Sequence, residues 1–222
     1  RSVGARLSWL MPTPFYSEIL FGIENASGAT MTSFGGQTGD TQFGRDLDPD
    51  VVKTFGDMLY VPRWNGSFDV GDTQTIVVGV SGAFGPNSTG PGADTEIGGV
   101  DFLWKWKSPR ADKGFPFVKV QAEGMTRRYE AAATPTLASD TFKDHGAYAQ
   151  VVWGIKPMWT VGARYDTVET VLYLQPSLKG DFRCFLATAT GYGTVGVKRG
   201  KAFLDVKAGS IAVNEIRYVA RA

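Results

Sequence analysis

The chain carries 222 residues, 43% hydrophobic and 13% aromatic, enough for one core or one closed sheet and too little for several ordinary domains. Its 23 Lys and Arg balance 22 Asp and Glu, so no bulk field draws it to nucleic acid or to an anionic membrane surface. One cysteine, Cys184, and one histidine, His145, exclude an internal disulfide framework and any His-rich or multi-cysteine metal centre.

Frequent Gly, Thr, Tyr and Trp, with few Ala/Leu/Glu/Lys runs, point to many short strands rather than helices. No apolar run approaches the ~20 residues of a membrane-crossing helix, but a crossing strand needs only about half as many. The chain opens on Arg1 without a methionine or a charged-then-apolar leader, which fits a processed secretory protein or a fragment.

Residues 6–11 and 15–23 read as a hairpin turned by Pro12-Thr13-Pro14, with Phe15, Ile19, Phe21 and Ile23 on one parity. Residues 25–54, rich in Gly, Ser, Thr and Asp, show no period and read as a long loop. From 57 to 70, Met58, Tyr60, Trp64, Phe68 and Val70 alternate with Arg63, Asn65, Ser67 and Asp69. After a tight turn at 70–73, Ile76, Val78, Val80 and Phe84 continue the pattern, and 85–94 is a second loop of breakers. Val100, Phe102, Trp104 and Trp106 oppose Asp101, Lys105 and Lys107. Val118, Val120 and Ala122 oppose Lys119, Gln121, Glu123 and Arg127. A third loop covers 130–144, and then Ala147 to Ile155 and Trp159 to Tyr165 form a further pair around Lys156-Pro157-Met158.

Connections are thus alternately short (12–14, 70–73, 108–114, 156–158) and long (25–54, 85–94, 130–144), the rim pattern of an up-and-down transmembrane barrel. Aromatics beside the turns (Phe15, Trp106, Phe115, Phe117, Trp153, Trp159) suit an interfacial girdle. A soluble sandwich also alternates, so a soluble all-β carbohydrate-binding or structural module is the alternative.

Several stretches resemble one family. Gly4 to Glu18 (GARLSWLMPTPFYSE), Phe55 to Trp64 (FGDMLYVPRW), Ser67 to Asp69 with Asp72 to Thr75, Ala83 to Asn87 (AFGPN), Val100 to Lys107 (VDFLWKWK) and Gly114 to Val118 (GFPFV) are similar to the Gram-negative outer-membrane barrels labelled zinc-regulated TonB-dependent outer-membrane receptors. The likeness spans roughly 4–166 and implies a porin-like or receptor-like barrel in the bacterial outer membrane. Within these residues the likeness includes no plug domain or coupling segment, so it does not imply active transport. Residues 167–222 depart from the family, faintly resemble the β-sandwich ends of carbohydrate-active enzymes, and read as a β-rich tail that either extends the sheet or forms a foreign layer around Phe185, Val195, Val197, Phe203, Val206, Ile211 and Ile216.

Other constellations have plainer readings. Gly191-Tyr-Gly-Thr-Val-Gly196 spells G-x-G-x-x-G, but the hairpin predicted after it offers no helix N-terminus to hold a pyrophosphate, so no cofactor is expected. Asp46, Asp48 and Asp50 cluster as weak metal candidates, with Val51 where a calcium loop turns on glycine and Asp57 where it ends on glutamate. His145 beside Asp144 lacks a marked nucleophile, and Cys184 reads as a packed thiol.

The expectation is an all-β protein, an antiparallel up-and-down transmembrane β-barrel or a large part of one (1–166), with a β-rich tail (167–222). It has no catalytic site, touches outer-membrane lipid, and passes or binds small polar solutes or ions. Arg63, Asp101, Lys105, Lys119, Glu123, Arg127 and Arg164 line the lumen in a mixed wall with a cationic excess.

Overall fold

The computed structural model describes residues 2–48, 52–174, 180–187, 191–211 and 213–218. Ten strands precede the tail: β1 (Gly4–Leu10), β2 (Tyr16–Glu24), β3 (Thr41–Gln42), β4 (Arg45–Asp46), β5 (Leu59–Val70), β6 (Gln74–Pro86), β7 (Asp94–Asp112), β8 (Phe115–Ala131), β9 (Asp140–Lys156) and β10 (Trp159–Leu174). A one-turn 3-10 helix, Phe55–Asp57, leads into β5. The tail adds β11 (Phe182–Ala187), β12 (Gly191–Lys198), β13 (Lys201–Gly209) and β14 (Val213–Tyr218). The protein is all-β.

One nine-stranded sheet runs β1-β2-β5-β6-β7-β8-β9-β10-β14, antiparallel throughout except that β14 lies parallel to β10. β3 and β4 form a two-stranded hairpin within the first long connection, and β11-β12-β13 form a separate small sheet. Among the described residues no ladder joins β1 to β10 or β14, so the sheet is open and the closure of a barrel is not present.

The registers place the alternation on two distinct faces. Trp9, Ile19, Trp64, Val80, Val100, Gly124 and Ala147 pair in succession across seven strands. Phe68, Ile76, Trp104, Val120, Val151 and Ala163 make a second row on the same face. The opposite face carries the row Leu10, Glu18, Asn65, Gly79, Asp101, Glu123, Tyr148 and Asp166. Because side-chain period in a strand is two, a slip of one residue would exchange these faces.

Glycines let the aromatics of the apolar face lie down. A Cβ at Gly66 would stand 2.8 Å from the Trp64 ring, and one at Gly82 would enter the Phe84 ring, so both rings rest over bare backbone. Such rings cover the surface that a glycine leaves open. Phe15 packs on Phe68 with centroids 4.5 Å apart, and Trp106 and Trp153 both oppose Val118 near the short turns. Phe117 corrects the expected girdle, because it shares parity with Lys119 and its ring covers Gly154 on the polar face.

The tail differs from its reading in two ways. β10 passes the expected boundary at residue 166 without a break and runs on to Leu174, so the first part of the tail continues the last strand of the main sheet. The small sheet does have its own core at Val195 and Val197, with Phe182, Leu186, Ala202, Leu204 and Ile216 against it. Phe185 is instead 70% exposed, since β11 turns Phe182 and Leu186 inward, and Val206, although on the parity of Ala202 and Leu204, is 41% exposed. The seam ladder is parallel, from Thr170 and Val213 to Leu174 and Tyr218.

Candidate functional site: a polar face capped at one end

On β9 the residues of the polar face, Asp144, Gly146, Tyr148, Gln150 and Val152, are half-buried, whereas Ala147, Ala149, Val151, Trp153 and Ile155 on the apolar face are exposed. A soluble sheet would reverse this order. The polar side chains are bonded to one another. Arg63 Nη2 donates to both carboxylate oxygens of Asp101 at 3.1 and 2.8 Å. Gln150 Nε2 donates to Gln121 Oε1 at 3.0 Å and Gln121 Nε2 to Tyr148 Oη at 2.8 Å. Arg164 lies 3.8 Å above the Tyr148 ring and donates to Asp166.

All seven residues expected on the wetted wall share this face, but they are not equivalent. Arg63, Asp101, Arg127 and Arg164 are ion-paired, the last two with Asp144 and Asp166. Lys105 and Lys119 stand directly opposite each other, and Asp101 opposite Glu123. Like charges facing across a ladder weaken it, so this face has two zones of opposite sign along the strands. Among the described residues neither Lys105 nor Lys119 has an ion-pair partner.

The long connection read as a solvated loop instead folds down onto the polar face. Ala26, Phe34 and Leu59 form a buried cluster backed by Met31, Val61, Ala83 and Ile97. Phe43, in the turn of the β3–β4 hairpin, stacks on Phe142 (centroids 3.9 Å) and meets Tyr129 edge-on (5.2 Å). Tyr129 and Phe142 are 0% and 1% exposed. Arg45, 2% exposed, sends Nε to Ala132 O and Nη2 to Ala138 O, both at 2.6 Å, and Nη1 to Phe43 O at 2.9 Å. A buried guanidinium is tolerable only when such acceptors replace its water, and here they bind the loop to the β8–β9 connection. Arg127 Nη1 adds a bond to Ser33 Oγ at 2.9 Å.

A buried polar spine stiffens the same end. Asn87 Nδ2 donates to Glu130 O at 2.8 Å and to Thr95 Oγ1 at 3.2 Å, while its Oδ1 accepts from Thr89. Periodicity does not reveal Arg45 or Asn87, because each acts through main-chain partners distant in sequence. The only sequence signal is a charged or amide side chain set among apolar and glycine neighbours.

The remaining candidates are dispersed. Asp46 and Asp48 are exposed and line, with Asp57, a cleft of about 540 Å³ beside the β6–β7 connection, and Asp50 lies outside the described residues. Among the described residues no group of three or more His, Cys, Asp or Glu is placed to hold a metal. Asp144 and His145 point to opposite faces, Asp144 to Arg127 and His145 to Thr126, so they cannot act as a pair. The G-x-G-x-x-G glycines lie on β12, and β13 follows the Arg199-Gly200 turn. Cys184 is exposed on β11, not packed. Outside the strands, Asp57 accepts from Lys53 N at 2.9 Å and Thr54 N at 2.8 Å, which holds its carboxyl below the ordinary carboxylate pKa.

No family profile matches the chain, and no solved structure matches it. It is similar to an uncharacterized protein of Aquifex aeolicus (strain VF5), 33% identical over 178 residues that make up 74% of this chain and 35% of that protein. The chain therefore spans about a third of the length of this relative.

Proposed function

We propose that the chain is a large part of an outer-membrane β-barrel that passes small polar solutes or ions in a Gram-negative bacterium, with the apolar face on lipid and the polar face lining a wet lumen. The observation that carries the reading is the inverted exposure at the centre of the sheet: Val80, Val100, Phe102, Val151 and Trp153 are exposed on the apolar face, while Gly79, Asp101, Tyr148 and Gln150 on the polar face are buried or half-buried, with polar side chains that bond to one another. The apolar parity runs without a charge from Pro116 to Gly124 on β8 and from Ala147 to Ile155 on β9. That is roughly the 9–11 residues a tilted strand needs to cross the hydrocarbon layer. Beyond it the same parity turns to Arg128, Glu130, Lys143 and His145, as expected of strands that project past lipid.

A wall of mixed, paired charges keeps a lumen hydrated, and the facing Lys105 and Lys119 tilt its short-turn end toward anions. The family likeness in the sequence points the same way. The test is to express the full reading frame in a Gram-negative host, separate the membranes, and record conductance of the purified protein in planar bilayers. Heat-modifiable migration, outer-membrane partition and discrete conductance steps are expected. Recovery as a soluble, water-stable protein supports the soluble β-module and refutes the barrel.

A further inference from the structure

We propose that residues 25–48 form a fixed lid across the mouth of the lumen on its long-connection side, latched by Arg45, and that this lid sets the largest solute that passes; the proposal rests on the channel reading above. Three observations carry it. The first is level: the lid meets the polar face at Tyr129 and Phe142, where the other parity carries Arg128 paired with Glu96 at 3.6 Å and Glu130 at 2.5 Å, and so lies above the apolar band. The second is reach, since its contacts run from Leu59 and Val61 on β5, through Ala83 and Ile97, to Phe142 on β9. A segment spanning five adjacent strands on one face narrows whatever those strands enclose.

The third is fixation. Arg45 ties the lid to Ala132 and Ala138, Arg127 ties it to Ser33, and the Asp48 N–H donates to Ser88 O at 3.0 Å. Phe43 holds φ at +50°, a left-handed conformation that a bulky side chain keeps only where its surroundings enforce it. The underside of the lid is apolar, Arg45 is buried against carbonyls, and Arg127 is matched by Asp144. The lid therefore limits size at the mouth, where its exposed Asp46 and Asp48 add an acidic edge, while the facing lysines Lys105 and Lys119 lie deeper.

Two variants of the full-length protein test this. Arg45→Ala removes the latch. Excision of residues 29–35 removes Met31 and Phe34 and is geometrically simple, because Gly28 N already donates to Gly36 O at 2.8 Å. Conductance and the size of the largest polyethylene glycol that enters the pore are compared with wild type, together with hydrogen exchange at the hydrogen-bonded Met31, Phe34 and Gly36 amides. The proposal expects these amides to be protected in wild type and freed in Arg45→Ala, with a severalfold rise in conductance and a larger admitted polymer in both variants. A conducting wild type whose variants keep its conductance and size limit overturns the lid and leaves the channel standing. Silence of wild type and variants alike overturns the channel reading and the lid with it, and rapid exchange of the three amides in wild type overturns the lid whatever the conductance.

Discussion

Val151 is the residue at which lipid and water predict opposite outcomes. It sits midway along the apolar stretch of β9, opposite Val120 and Ala163, and is 42% exposed. If the face meets lipid, Val151→Arg places a guanidinium near the bilayer midplane, at a cost of about 2–4 kcal/mol. Ala147 is four residues away, about 13 Å along the strand and roughly 10 Å along the membrane normal at a ~40° tilt, so Ala147→Arg should cost only about 0–1 kcal/mol. In water, both exposed sites would accept arginine within about 0.5 kcal/mol. Urea titration of the protein folded into phospholipid vesicles, followed by tryptophan fluorescence, measures the difference directly. A cost that falls with distance from Val151 supports the lipid-facing band; equal, near-zero costs at both positions would refute it.

Phe142→Ala should destabilise the capped end by about 3–5 kcal/mol, because the ring is fully buried between Phe43 and Tyr129, and the loss should appear as a lower urea midpoint with faster proteolysis within 25–48. Lys105→Glu combined with Lys119→Glu should move reversal potentials toward cation preference in a salt gradient, since it inverts a facing cationic pair on the wall; an unchanged potential removes the charge-reading role. Asp57 has a lowered folded-state pKa, so its contribution to stability is full above the unfolded value and is lost as pH falls through the folded one. Wild type should therefore lose more stability than Asp57→Asn on going below about pH 4, as read by denaturant midpoints across a pH series.

Strand parity was legible in the sequence because it is a local property. Ile76, Val78 and Val80, or Val100, Phe102 and Trp104, alternate with polar residues whatever their neighbours do, and the turns at 70–73 and 156–158 are marked by Gly, Asp and Pro. The lid was not legible. Its contacts join Arg45 to residues 87 and 93 positions away, and a lone arginine in a Gly-rich, acidic segment has the composition of a solvated loop. The same limit explains the tail: alternation marked β11 to β13 as strands, but which parity faced inward at Phe185 depended on how that sheet packs, and the parallel seat of β14 on β10 depended on a partner that local pattern does not name. Of the wall residues, the sequence supplied the face but not the pairing. Nothing local distinguishes Lys119, which faces another lysine, from Arg63, which is bonded to Asp101.

The glycines under the aromatic rings have a consequence for surface texture. With Trp64 flat over Gly66 and Phe84 flat over Gly82, bulky residues add width to the sheet rather than height, and the ridges and pits that a row of upright rings would leave are levelled. Acyl chains are long, mobile and poor at filling narrow clefts, so if the face meets lipid, as proposed, a low-profile wall lets them lie alongside with few voids. A methyl group at either glycine would tip its ring outward, roughening that wall while leaving the charge and hydrophobicity of the face nearly unchanged.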